Sequence, residues 1–168
     1  AVSIMSGSGL NRAGEISIKV GQSSVGNGGD LGMMAGDTMA LDGVGGRIGL
    51  FGGNSLLGGG GDVTMEGGSG AVLGGDVEIS SGRGTFGKSG DVRIRTAESQ
   101  SSTSGDIIFE VGNSSSSNGQ AGGVFIHAGS SADGSGGEVR LQAGDGSLAS
   151  NGGALSLVSG SGKTGGHL

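Results

Sequence analysis

Apolar and polar residues alternate in short bursts that return about every 15 residues along the chain. A burst reads Gly, an acid in most copies, then apolar, any residue, apolar, as in Gly75-Asp76-Val77-Glu78-Ile79 and Gly90-Asp91-Val92-Arg93-Ile94. The same unit opens at Gly14, Gly29, Gly46, Gly61, Gly105, Gly122, Gly137 and Gly153. Truncated copies begin the chain (Val2-Ser3-Ile4) and end it (Gly166-His167-Leu168). Opening glycines lie 13 to 17 residues apart. Two apolar columns result, one through Ile16, Ile48, Val92 and Val139, the other through Ile18, Leu50, Ile94 and Leu141. Residues two apart share one face of an extended chain, so every burst predicts a β-strand with one apolar side. A small residue two further on (Val20, Ala35, Ala128, Ala143) extends that side.

A glycine then closes each burst (Gly21, Gly36, Gly53, Gly82, Gly112, Gly129, Gly144, Gly160). These predict corners that need positive φ or a close backbone approach. The loops add one apolar residue each at Val25, Met39, Leu56, Val72, Phe86 and Leu148, predicted to face the strand across a thin core. Asn27-Gly28, Asn118-Gly119 and Asn151-Gly152 supply turn chemistry before the next unit.

One such unit cannot bury its own apolar face, whereas stacked units can. An antiparallel meander is disfavoured, because loops of nine or ten residues exceed the about 2–5 residues of ordinary hairpins. The pattern therefore predicts an all-β fold, a parallel β-solenoid (β-helix) of about 11–12 rungs with a ~15-residue repeat. Residues 1–168 would form a single repeat domain, a segment or subunit of a longer array or filament. With one repeat per rung, Glu78 would face Arg93, Arg95 would face Glu110, and Glu110 would face His127. A coil of about 30 residues would keep Glu66 near Arg95 and lose those three pairs. The pairs favour the shorter coil.

Composition narrows the picture. Glycine fills 45 of 168 positions, against a usual share of about 7 %. An α-helical domain is excluded by the cost of interior glycines. Collagen is excluded by the absence of proline and of a three-residue period. Nine basic and fifteen acidic residues leave a net charge of −6, with no Lys/Arg cluster, so a nucleic-acid partner is not expected. No apolar run is long enough for a membrane span. The first residue already lies inside the repeat with no signal peptide before it, which suggests mature or excerpted sequence. Absence of cysteine removes disulfides and thiol chemistry.

Chemical motifs are sparse. Gly82-Arg83-Gly84-Thr85-Phe86-Gly87-Lys88-Ser89 matches the phosphate-loop pattern, but another burst follows it where that chemistry requires a helix. G-x-G-x-x-G matches at Gly82 and Gly160 are what so much glycine produces by chance. Acids follow the opening glycine in successive copies, and Asp62, Asp76, Asp91 and Asp106 are weak candidates for calcium held between rungs. The blander role, capping amides at a corner, is preferred, and no cofactor is expected. His127 and His167 are the only histidines; neither sits in a catalytic constellation, and the chain is not expected to be an enzyme. Asn113-Ser114-Ser115 is a glycosylation sequon within a serine-rich loop, so glycans are possible partners. Met5, Met34 and Phe51 share one outward column beside Gly32 and Gly49 and form a candidate assembly contact.

The alternation and bracketing glycines resemble the Gly/Ser-rich β-solenoid repeats of extracellular fibre, adhesin and surface proteins of microbes and protists. The resemblance covers the whole chain. It implies an extracellular or cell-surface location and a structural or adhesive role. A structural subunit of an extracellular filament, self-assembling through its ends and sides, is the first expectation. The alternative is a module that binds glycan, ice or a host surface.

Overall fold

Backbone bending is confined to one place per repeat. The computed structural model describes residues 2–163 together with Gly165 and Gly166. Among them the chain bends at 10–11, 24–26, 41–42, 56–58, 71–72, 85–87, 100–102, 116–118, 132–134, 148–150 and 162–163, and runs without bend or turn between. Contacts two residues apart show that these straight runs are extended, with alternating faces. Arg93 Nη2 meets the Asp91 carboxylate, and Arg140 Nη2 donates to Gln142 Oε1 at 2.5 Å. The Phe125 and His127 rings stack with centroids 6.5 Å apart. Each of these pairs occupies the face opposite its neighbouring apolar pair.

Seven of the bends are held by a device six residues before the opening glycine. Ser55 Oγ accepts from the Gly58 amide at 2.9 Å, and Ser131 Oγ accepts from the Gly134 amide at 2.9 Å. Ser23 and Ser99 do the same to the amides of Gly26 and Ser102. At Ala40, Ser116 and Ser147 the backbone carbonyl takes the same role toward the residue three on. A serine hydroxyl that takes a nearby amide is a local substitute for a backbone turn bond.

Past the bend, the chain returns to its own starting point. The amide of Gly61 donates to the Gly53 carbonyl at 2.8 Å, Gly90 to Gly82 at 2.9 Å, and Gly137 to Gly129 at 2.9 Å. Gly14, Gly46, Gly75, Gly153 and Gly166 close on Gly7, Gly36, Gly68, Gly144 and Gly160 in the same way. At Gly29 and Gly122 a Cβ would instead meet the Val20 and Val111 methyls. These eight repeats are thus each an extended segment and a small closed loop, akin to an Ω-loop, and those opening at Gly29, Gly105 and Gly122 lack the closing bond.

The expected parallel β-solenoid is not formed. The described residues contain no helix and no strand, so both the β-solenoid and the β-helix reading are corrected. The reason lies in where the backbone hydrogen bonds go. Eight loops spend one on their own closure, and among the described residues no ladder joins one extended segment to the next. A strand is defined by such a ladder, and alternation alone does not provide it. Most contacts accordingly stay local in sequence. Nor is there a thin core: Val25, Met39, Leu56, Val72, Phe86 and Leu148 lie on the loops with exposures of 91 % to 113 %. No described residue is buried.

Contacts divide the chain into two units, Ala1–Ser80 and Ser81–Leu168. The first holds the closures at Gly14, Gly46, Gly61 and Gly75. The second holds those at Gly90, Gly137, Gly153 and Gly166. Both are built from the same segment and loop.

Candidate assembly surface

The first apolar column is half-covered to a constant degree. From Ile16 to Leu155 its exposure runs from 45 % at Ile107 to 60 % at Leu31. The second column runs from 59 % at Leu141 to 72 % at Phe109. No described residue of either column is buried. Every repeat therefore presents a short apolar stripe, flanked by backbone amides and carbonyls without a ladder partner. That combination is the edge that proteins ordinarily pair, cover or blunt.

On the opposite face, Met5, Met34 and Phe51 are exposed as the candidate contact requires. The Arg47 guanidinium lies 5.7 Å from the Phe51 ring centroid, and the ring itself covers Gly49. Gly32 has open space where a side chain would stand. Gly49 is thus occupied from within the chain, and Gly32 is free.

The charged candidates are dispersed. Among the described residues no three His, Asp or Glu side chains gather as a group that could hold a metal ion. Asp62, Asp76, Asp91 and Asp106 fall one to each repeat. Asp91 is held by Lys88 Nζ at 2.6 Å and by Arg93. Arg93 therefore has a partner on its own segment and does not face Glu78, and His127 lies against Phe125 rather than Glu110. His167 lies outside the described residues. At the phosphate-loop match the chain bends at 85–87 and runs on extended from Lys88, with no helix to receive an anion. No pocket is found among the described residues. Asn113 is exposed just before the bend at 116–118, where its side chain is open to modification.

The glycines divide into two kinds. A Cβ on Gly52 would overlap the Gly61 carbonyl, and one on Gly67 would overlap that of Gly75. These two exist for close backbone approach at the loop neck. None of the described glycines has positive φ, so the left-handed corners expected from the sequence are absent. The closing glycines behave differently again. Gly21, Gly36, Gly53, Gly82, Gly112, Gly129, Gly144 and Gly160 all have nothing within 4 Å of the position a Cβ would take. The chain by itself gives no steric reason for glycine at this column.

Asparagine-glycine pairs mark the expected turns, whereas serines hold four of the bends. The available signal was a serine six residues before the opening glycine, at Ser23, Ser55, Ser99 and Ser131. Bends fall at 24–26 and 148–150, ahead of Asn27 and Asn151; of the three asparagines only Asn118 lies within one. No family model, no characterised protein and no solved structure matches the chain.

Proposed function

We propose that this chain is a structural subunit or segment of an extracellular filament, and that its partner is further copies of the same repeat. The observation that carries the reading is surface area. The chain exposes 17053 Å², while a folded monomer of its 15.8 kDa mass exposes about 7,300 Å². An excess on the order of 9,700 Å² is larger than most obligate interfaces, which run about 2,000–5,000 Å². The exposed stripe recurs in every repeat, as a polymer interface requires and a single ligand site does not. The extracellular location rests on the likeness of the repeat to those of fibre and surface proteins.

The described residues include no helix long and apolar enough to cross a membrane, and the reading needs none. Sedimentation velocity over a wide concentration range, with electron microscopy of the largest species, tests it. Elongated polymers with an axial repeat are the expected result. A monomer at every concentration, or a monomer with a saturable glycan ligand, would overturn it in favour of a binding module.

A further inference from the structure

If copies of this chain assemble, the charges along the extended segments select the register. We propose that copies lie side by side, running in the same direction and offset by one repeat, so that each extended segment pairs with the following segment of its neighbour. The inference rests on the filament reading and adds the geometry of the partner. Same-direction copies lay the two apolar columns of one chain against those of the next.

Three alignments can be compared from the positions on the page. With no offset, every charged residue meets its own copy, Asp91 against Asp91 and Arg93 against Arg93. Like charges directly opposite are destabilising. With an offset of one repeat, Asp30 meets Arg47, Arg47 meets Asp62, Glu78 meets Arg93, Arg95 meets Glu110, and Glu110 meets His127. The like-charge meetings that remain are Glu15 with Asp30, Asp62 with Asp76, Asp76 with Asp91, and Asp91 with Asp106. Two of these involve Asp91, whose charge Lys88 and Arg93 already offset. With an offset of two repeats only Glu15 with Arg47, Arg47 with Asp76, and Glu66 with Arg95 remain favourable. One repeat is the alignment the charges prefer.

Two further observations agree. Among the described residues none of these cross-repeat pairs forms within the chain; Arg93 already meets Asp91 and would share its guanidinium with Glu78 of the neighbour. The closing-glycine column is open to space in all eight copies named above, which suits the approach of another backbone. An offset also leaves one unpaired repeat at each end, and a heterologous contact of that kind continues as an open polymer.

The chain has no cysteine, so single introduced thiols report register directly. Ser89 and Ser104 each precede an opening glycine, one repeat apart, and both are exposed. Ser89→Cys and Ser104→Cys chains would be mixed, assembled and oxidised. The expected product is the mixed S89C–S104C cross-link in preference to either self cross-link, because paired segments bring Cα atoms within the roughly 4.4–6.8 Å a disulfide spans. Self cross-links in preference, or polymers with no cross-link at all, overturn the offset while leaving the filament reading standing. Monomers throughout overturn both.

Charge reversal gives a second arm. Arg93→Glu is expected to raise the concentration needed for assembly by about two- to fivefold per contact. Adding Glu78→Arg to the same chain restores it, because under the offset those two positions face each other. A double variant no better than the single overturns the offset.

Discussion

At the scale of the residue, glycine does two jobs that composition alone merges. Gly52 stands at a loop neck, where a Cβ would meet the Gly61 carbonyl. Backbone cannot move aside as a flexible side chain can, so Gly52→Ala is expected to open that loop in the isolated chain. The Gly61 amide would then lose its bond to Gly53 and exchange with solvent faster, which amide hydrogen exchange measures. Gly82 has no such neighbour. Gly82→Ala leaves the Gly90 closure unchanged and reduces the freedom of the unfolded chain, an effect worth about 0.4–1 kcal/mol where the backbone is compatible. Its expected penalty is on assembly, read as a higher concentration for polymer formation. Equal effects of the two variants on loop closure would remove the distinction.

At the scale of the element, the repeat is a short-range machine. At Ser23, Ser55, Ser99 and Ser131 the bend depends on a hydroxyl three residues from its amide, and closure, where it forms, on one backbone bond. Both are exposed to water, so each contributes only about 0.5–1.5 kcal/mol. Ser131→Ala is expected to loosen the bend at 132–134 without disturbing the next one at 148–150, because the two share no partner. The Gly134 amide would show the change, with its chemical shift becoming more temperature-dependent while that of Ser150 stays constant. A shift that spreads across several repeats would mean that the loops are coupled in a way these contacts do not provide.

At the scale of the whole molecule, the absence of any buried residue among those described sets what the chain can do alone. Ordering a residue costs about 1–2 kcal/mol of backbone entropy, and local hydrogen bonds in water do not offset that. A dilute sample is therefore expected to melt without a cooperative transition. A concentrated sample should gain both a transition and a β-type circular dichroism signal. Ile94→Asp places a charge on the apolar stripe, where Ile94 is 62 % exposed. It should leave the dilute spectrum unchanged and suppress the concentration-dependent signal, because the charge would be buried only in the assembly. A sharp transition that is independent of concentration would instead reveal a monomeric core.

Much of the repeat was legible from the order of residues. The two-residue alternation of Val92 with Arg93 and Ile94, the opening glycines and the closing glycines all mark real features of the chain. They were legible because the interactions involved span two to ten positions, and chain connectivity alone brings such residues together. The fold class was not legible. Alternation says that a segment is extended and two-faced, but the same pattern serves a strand paired within its chain and one left open. Pairing depends on whether successive segments return close enough for a ladder, and the loops close on themselves before that return. The supposed inward residues failed for the same reason: Phe86 and Leu148 had a core to face only if the coil stacked. The register of Glu78 with Arg93 likewise belongs to whatever lies beside the segment. Sequence alone determined the period and the faces. Only the tertiary structure decided that one chain leaves every apolar stripe uncovered, because burying it requires a second surface that connectivity does not supply.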